Sequence, residues 1–133
     1  MTIESSYCPF CNLDQHREII IENSECYAMH DMFPVSNGHV LIIPKRHCSD
    51  YFELTTDEQT SCWEMVNELR GILDEKYHPD GFNIGINVNE AAGQTVPHVH
   101  IHLIPRYKGD VIDPEGGVRG VIPEKRKYSH NKF

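Results

Sequence analysis

The chain has 133 residues, 12 of them basic and 20 acidic, for a formal net charge of −8 with histidine neutral. That length suits one domain able to bury about two thirds of its unfolded surface, and an acidic body (6 basic and 16 acidic residues over 1–106, against 6 and 4 over 107–133) offers no footprint for long nucleic acids. The longest strongly apolar run, Val40-Leu41-Ile42-Ile43, is far short of the roughly 18 residues of a membrane helix, and Met1-Thr2-Ile3-Glu4-Ser5-Ser6 lacks the basic and apolar segments of a signal peptide.

Cys8-Pro9-Phe10-Cys11 comes first in the chain. A C-x-x-C pair can be a redox centre, half of a zinc site or two unrelated thiols. A redox pair usually follows a strand, and there is no room for one before Cys8. A zinc site needs two more ligands, for which nine histidines are available. The five cysteines (8, 11, 26, 48 and 62) are odd in number and irregularly spaced, which speaks against a disulfide framework and for a reducing, cytoplasmic setting.

Residues 18–21 and 26–29 read as short strands, with Asn23-Ser24 supplying the turn between them. Residues 30–38 form a loop punctuated by Pro34 and Asn37-Gly38. Residues 39–44 are a buried strand ended by Pro44 and followed by Lys45-Arg46-His47. Thr55 and Glu58 have the spacing of a capping box. After it Trp63, Val66, Leu69, Leu73 and Tyr77 recur near a 3.6 period, widened by Met65 and Ile72, so a helix is expected over about 56–77 with Trp63 in the core. His78-Pro79-Asp80-Gly81 stops it. Residues 82–89 alternate apolar and small polar side chains, a strand that pairs antiparallel with the next one.

The next strand is His98-Val99-His100-Ile101-His102-Leu103-Ile104-Pro105-Arg106. Side chains alternate faces along a strand, so His98, His100 and His102 share one side and Val99, Ile101 and Leu103 the other. Neighbouring imidazoles then sit roughly 6–7 Å apart, facing a polar cleft, a metal or a phosphate. After Arg106 both periods vanish. Residues 107–133 form a loop-rich extension to a domain of residues 1–106, packed on that domain or on a partner subunit. Within it Gly116-Gly117-Val118-Arg119-Gly120 can turn backbone N–H groups toward an anion, with Arg119 a candidate phosphate contact. Lys45, Arg46, Arg106 and the tail are the sources of positive charge for a small anionic substrate.

The pattern His-φ-His-φ-His-φ-φ over residues 98–104, with φ apolar, resembles the signature of the histidine triad nucleotide hydrolases and transferases. Gly93-Gln94-Thr95-Val96 resembles that family's phosphate-contacting lead-in. The likeness is nearest the dinucleoside polyphosphate hydrolase (fragile histidine triad) and nucleoside phosphoramidase branches, and it covers about residues 8–106. It implies an α+β fold of about five antiparallel strands with one long helix and short helices, and a homodimer in which two sheets combine. It implies His100 as nucleophile on the α-phosphorus of a nucleotide, and His102 as hydrogen-bond or proton donor. His39 and His98 would orient His100, and Gly93, Gln94 and Thr95 would hold phosphate oxygens. Asp31 is then placed to accept from ribose hydroxyls, Met29, Met32 and Phe33 to wall the base, and Asn89, with Asn87 second to it, to sit near the phosphate or sugar. The resemblance also implies a structural zinc on Cys8, Cys11, His47 and His98, and no organic cofactor. The expected activity is release of a nucleoside monophosphate from dinucleoside polyphosphates. The alternatives are phosphoramidate or adenylyl-amine cleavage, a zinc metallohydrolase using the histidine strand, or a nucleotide-binding protein whose catalysis is vestigial.

Overall fold

The structure, a computed structural model, describes residues 4–14 and 16–128. Five strands, β1 (Ile19–Glu22), β2 (Cys26–His30), β3 (Val40–Pro44), β4 (Gly81–Ile86) and β5 (Ile101–Arg106), and one long helix, α1 (Thr56–Tyr77), make up its regular structure, joined by short 3-10 turns. The strands form one antiparallel sheet in the order β1-β2-β3-β5-β4. The fold is therefore α+β, as expected.

Helix α1 starts at a complete capping box. Thr55 Oγ1 accepts from the Glu58 backbone N–H, and Glu58 Oε1 accepts from that of Thr55. Arg46 grips both oxygens of the same carboxylate at 2.9 and 3.0 Å. The ion pair and the cap together pull the Glu58 pKa down to about 2. The helix ends where His78 takes the left-handed conformation (φ 52°) and returns its N–H to Asp74 O.

Strand periodicity divides the core in two. Cys26, Ala28, Val40, Ile42, Ile101 and Leu103 face α1 and pack on Cys62, Met65, Val66, Leu69 and Leu73. Tyr27, Met29, Leu41 and Ile43 point the other way and are covered by Cys8 and Phe10 of the N-terminal segment. Trp63 is not in the core. It is 39% exposed, and its indole N–H donates to Tyr51 Oη at 3.0 Å. Its position on the apolar stripe is real, but it falls at the stripe's edge, where a polar handle can reach a partner.

Two strands are shorter than their sequence pattern. β4 stops at Ile86, and the chain turns at Asn89 (φ 71°) into a 3-10 turn at Glu90–Ala92. β5 begins at Ile101, opposite Ile42 on β3, and the residues before it leave the ladder. The lead-in bonds elsewhere: Val99 N–H donates to Cys48 O, and the His98 side chain takes the Pro44 carbonyl.

The C-terminal segment lies along the start of β4. Lys108 N–H donates to Asp80, and Arg106 bridges Asn83 and Asp110. Arg119 donates to the carbonyls of Lys125 and Arg126 and lies over the Tyr128 ring, so it braces the tail and is not aimed at a ligand. Among the described residues, no helix is long and apolar enough to cross a membrane.

Candidate active site

The three histidines do not look into one space. His98 is fully buried and its Nε2–H donates to Pro44 O at 2.7 Å, which leaves Nδ1 unprotonated. That nitrogen lies 3.3 Å from Cys8 Sγ, 3.5 Å from Cys11 Sγ and 3.3 Å from His47 Nδ1, while Cys11 Sγ and His47 Nδ1 are 3.3 Å apart. All four ligand atoms fall within 4.8 Å of one another. Metal–sulfur and metal–nitrogen bonds near 2.3 and 2.0–2.1 Å in a tetrahedron need edges of roughly 3.3–3.8 Å, so the donor set fits a closed metal site. Burial and the adjacent Cys8 push the Cys11 thiol up to about 11, so a metal entering here must displace protons.

His100 faces a cleft of about 390 Å³ on the side of the sheet away from α1. Its Nδ1–H donates to its neighbour's backbone oxygen, His98 O, at 2.9 Å, so Nε2 carries the lone pair. Burial holds the His100 pKa below the usual imidazole value despite the opposing effect of that bond, and the ring stays neutral near pH 7. Phe10 stands edge-on to it, ring centroids 5.1 Å apart.

His102 has the reverse tautomer. The Val35 backbone N–H donates to His39 Nδ1 at 3.1 Å, so the His39 proton is on Nε2. His39 Nε2 lies 3.0 Å from His102 Nδ1 and 3.4 Å from Asp31 Oδ2. His102 Nδ1 is therefore an acceptor and its Nε2 carries a proton. Burial, reinforced by His100 and His39, pushes the His102 pKa down to about 4 against the pull of Asp31. Asp31, His39 and His102 also converge within 4.8 Å. A metal there would require His39 to lose its last proton while still accepting from Val35, so this group is a hydrogen-bond chain. His39 thus orients His102, not His100, and His98 orients His100 through its backbone oxygen. With the three triad rings facing different partners, they do not form one metal site.

Around the cleft, Asp31, Phe33, Gly93 and Thr95 are among the lining residues. Phe33 is 83% exposed at the rim, with its backbone N–H on Asp31 Oδ1. Met32 also lines the cleft, whereas Met29 is buried beneath it. Asn89 and Gln94 do not line it. Gln94 is buried, accepting from Asn89 N–H and donating to Ser49 O and Val96 O, so both ends of its amide hold the loop. Asn87, the second choice in the sequence, is the asparagine at the cleft. Lys45 and Arg46 are paired with Glu22 and Glu58, and Arg106 with Asp110, none of them lining it. Arg17 is the cation that does. Phe10 and Arg17 were missed: Phe10 was hidden inside a cysteine motif, and no local pattern marks Arg17.

An imidazole with an open lone pair beside a proton-bearing one, in a cleft behind a Cys/His cluster, is the arrangement of the histidine triad proteins. The HIT domain model matches residues 12–109, and the chain belongs to that family. It is 38% identical over 121 residues (91% of this chain, 81% of the relative) to a bis(5'-adenosyl)-triphosphatase of Dictyostelium discoideum. It is 40% identical over 83 residues (62% of this chain, 46% of the relative) to an asymmetrical bis(5'-nucleosyl)-tetraphosphatase of Schizosaccharomyces pombe. A zinc-bound histidine triad family protein from Mycobacterium smegmatis superposes with a TM-score of 0.75 at 32% identity, covering 83% of this chain and 82% of its own. The chain is a HIT-family hydrolase.

Proposed function

We propose that the protein hydrolyses dinucleoside polyphosphates at the α-phosphate through a nucleotidyl-histidine intermediate. The observation that carries this is the free Nε2 lone pair of His100 directed into the cleft. In the first step Nε2 forms a bond to the α-phosphorus while the bond to the bridging oxygen breaks. His102 Nε2–H donates a hydrogen bond to that oxygen, and the shortened polyphosphate leaves as an anion. In the second step water attacks phosphorus and releases a proton to solvent, the P–N bond breaks with its electron pair returning to His100 Nε2, and a nucleoside monophosphate departs. Thr95 and the backbone at Gly93 hold phosphate oxygens, and Asp31 receives the ribose hydroxyls. The names of the two relatives favour an anionic leaving group over an amine. Incubating the protein with diadenosine triphosphate and with adenosine phosphoramidate, and quantifying AMP, tests the reading. AMP release from the first is expected; no release from either overturns it.

Cys8, Cys11, His47 and His98 would hold a zinc ion, whose chemistry there is structural: with four protein ligands no position is left for substrate. The ion ties the segment carrying Phe10 to the base of the triad strand. The catalytic unit is residues 1–106, with 107–133 an extension of it. Two copies pair through β4, an edge strand whose outer side is unpaired in the sheet and whose Ile84 is 40% exposed. Light scattering giving twice the chain mass supports this; a monomer removes it. A reducing cytoplasmic location suits the free cysteines.

A further inference from the structure

We propose that Arg17 reads the base of the bound nucleotide and selects rings with an acceptor at the 6-position, the 6-oxopurines, over adenine. This rests on the nucleotide reading above. The sheet supplies the ruler. Met29 on β2 pairs with Leu41 on β3, which pairs with His102 on β5. At about 4.8 Å per strand, Met29 is roughly 10 Å from His102 across the sheet. The Arg17 guanidinium lies on Met29, its Nη2 3.2 Å from Sδ and 3.4 Å from His30 O. It therefore occupies the end of the cleft opposite the reacting imidazoles. A nucleoside spans that separation between its 5'-phosphorus and the far edge of its base. The space between is apolar, with Leu41 below and Phe10, Met32 and Phe33 around it, as a flat ring requires.

The charge at the far end has no carboxylate to answer it. Asp31, the acid of the cleft, is engaged by the Phe33 N–H and His39. Among the described residues Arg17 forms no ion pair, and its Nε and Nη1 have no hydrogen-bond partner. Nη2 is taken by Met29 and His30, and an open Nη1–H matches a single acceptor, the O6 of guanine. Adenine places an amino donor where O6 would be, and two donors then face each other.

Calorimetric titration of the zinc-loaded protein with GMP and with AMP reads the preference directly. GMP is expected to bind about tenfold more tightly, the scale of one hydrogen bond to a charged group. In Arg17→Met the ratio should fall to near one, chiefly through weaker GMP binding, and Arg17→Lys should recover only part of it. Equal affinities in the parent protein, or equal weakening of both nucleotides in Arg17→Met, overturn the proposal. The latter would make Arg17 a general anion contact or a support for the fold. Turnover of diguanosine and diadenosine triphosphate is followed in parallel. If GMP is preferred and neither dinucleotide is cleaved, the hydrolase reading fails while the base selection stands.

Discussion

His100 donates its Nδ1–H to the backbone oxygen of His98, so the strand itself sets the tautomer of the imidazole that faces the cleft. No side chain intervenes that could be mutated to reverse it. Removing the ring is therefore the decisive change. His100→Ala should keep its fold, since the residue lines a cleft, and lose about three orders of magnitude or more in kcat. Acid-quenched parent enzyme should show a mass increment of one nucleotidyl group that the variant lacks.

The proton on His102 is set one residue further out. The Val35 N–H directs His39, and His39 directs His102. His39→Phe fills the space but lets His102 choose either tautomer, so kcat should fall by about tenfold or more with little change in KM. A KM rise with unchanged kcat would mean that His39 serves binding and not the proton.

How far the sequence foretold the site follows from what each signal measures. Alternation assigned the faces of residues 98–103 correctly because strand period and burial are local. It did not say that the face bends across two sites, with His98 in a Cys/His cluster and His100 in the cleft; that depends on the lead-in leaving the ladder, with Val99 N–H on Cys48 O and the His98 ring on Pro44 O. Gln94 and Asn89 were misjudged for a similar reason. Polar residues in a lead-in loop can hold the loop or hold the ligand, and only the three bonds of the Gln94 amide decide. Arg17 reaches the cleft by tertiary packing on Met29, which no periodicity records.

Acid should destabilise the fold through the same histidines. Burial lowers the pKa of His39, His98 and His100, and that of His102 to about 4, below the roughly 6.5 of an unfolded chain. Between those values the unfolded state binds more protons. Stability is thus full above about pH 6.5 and declines as pH falls toward 4. Melting temperature measured from pH 7.5 to 4.5 should drop, and His102→Asn should drop less steeply. A flat profile in the parent protein would contradict the buried neutral imidazoles.

Glu58 titrates in the opposite sense. Its carboxylate caps α1 and holds Arg46, and its stabilising effect is present above about pH 4.5 and lost as pH falls toward 2. Glu58→Gln keeps an acceptor for the Thr55 N–H but not the charge. It should cost about 1–2 kcal/mol in urea unfolding at pH 7, with no change in kcat, because neither Glu58 nor Arg46 reaches the cleft.

Metal removal should be felt at the cleft although the ligands lie outside it. Cys8 and Cys11 flank Phe10, and Phe10 is edge-on to both His98 and His100. If zinc fixes the N-terminal segment, Cys11→Ser should abolish stoichiometric zinc in elemental analysis and lower the melting temperature. Nucleotide affinity should weaken more than kcat falls, because the wall of the base slot loosens while the tautomers of His100 and His102 keep their own supports in the strand and in His39. A variant that loses zinc and kcat together, with affinity intact, would instead place the ion in the chemistry.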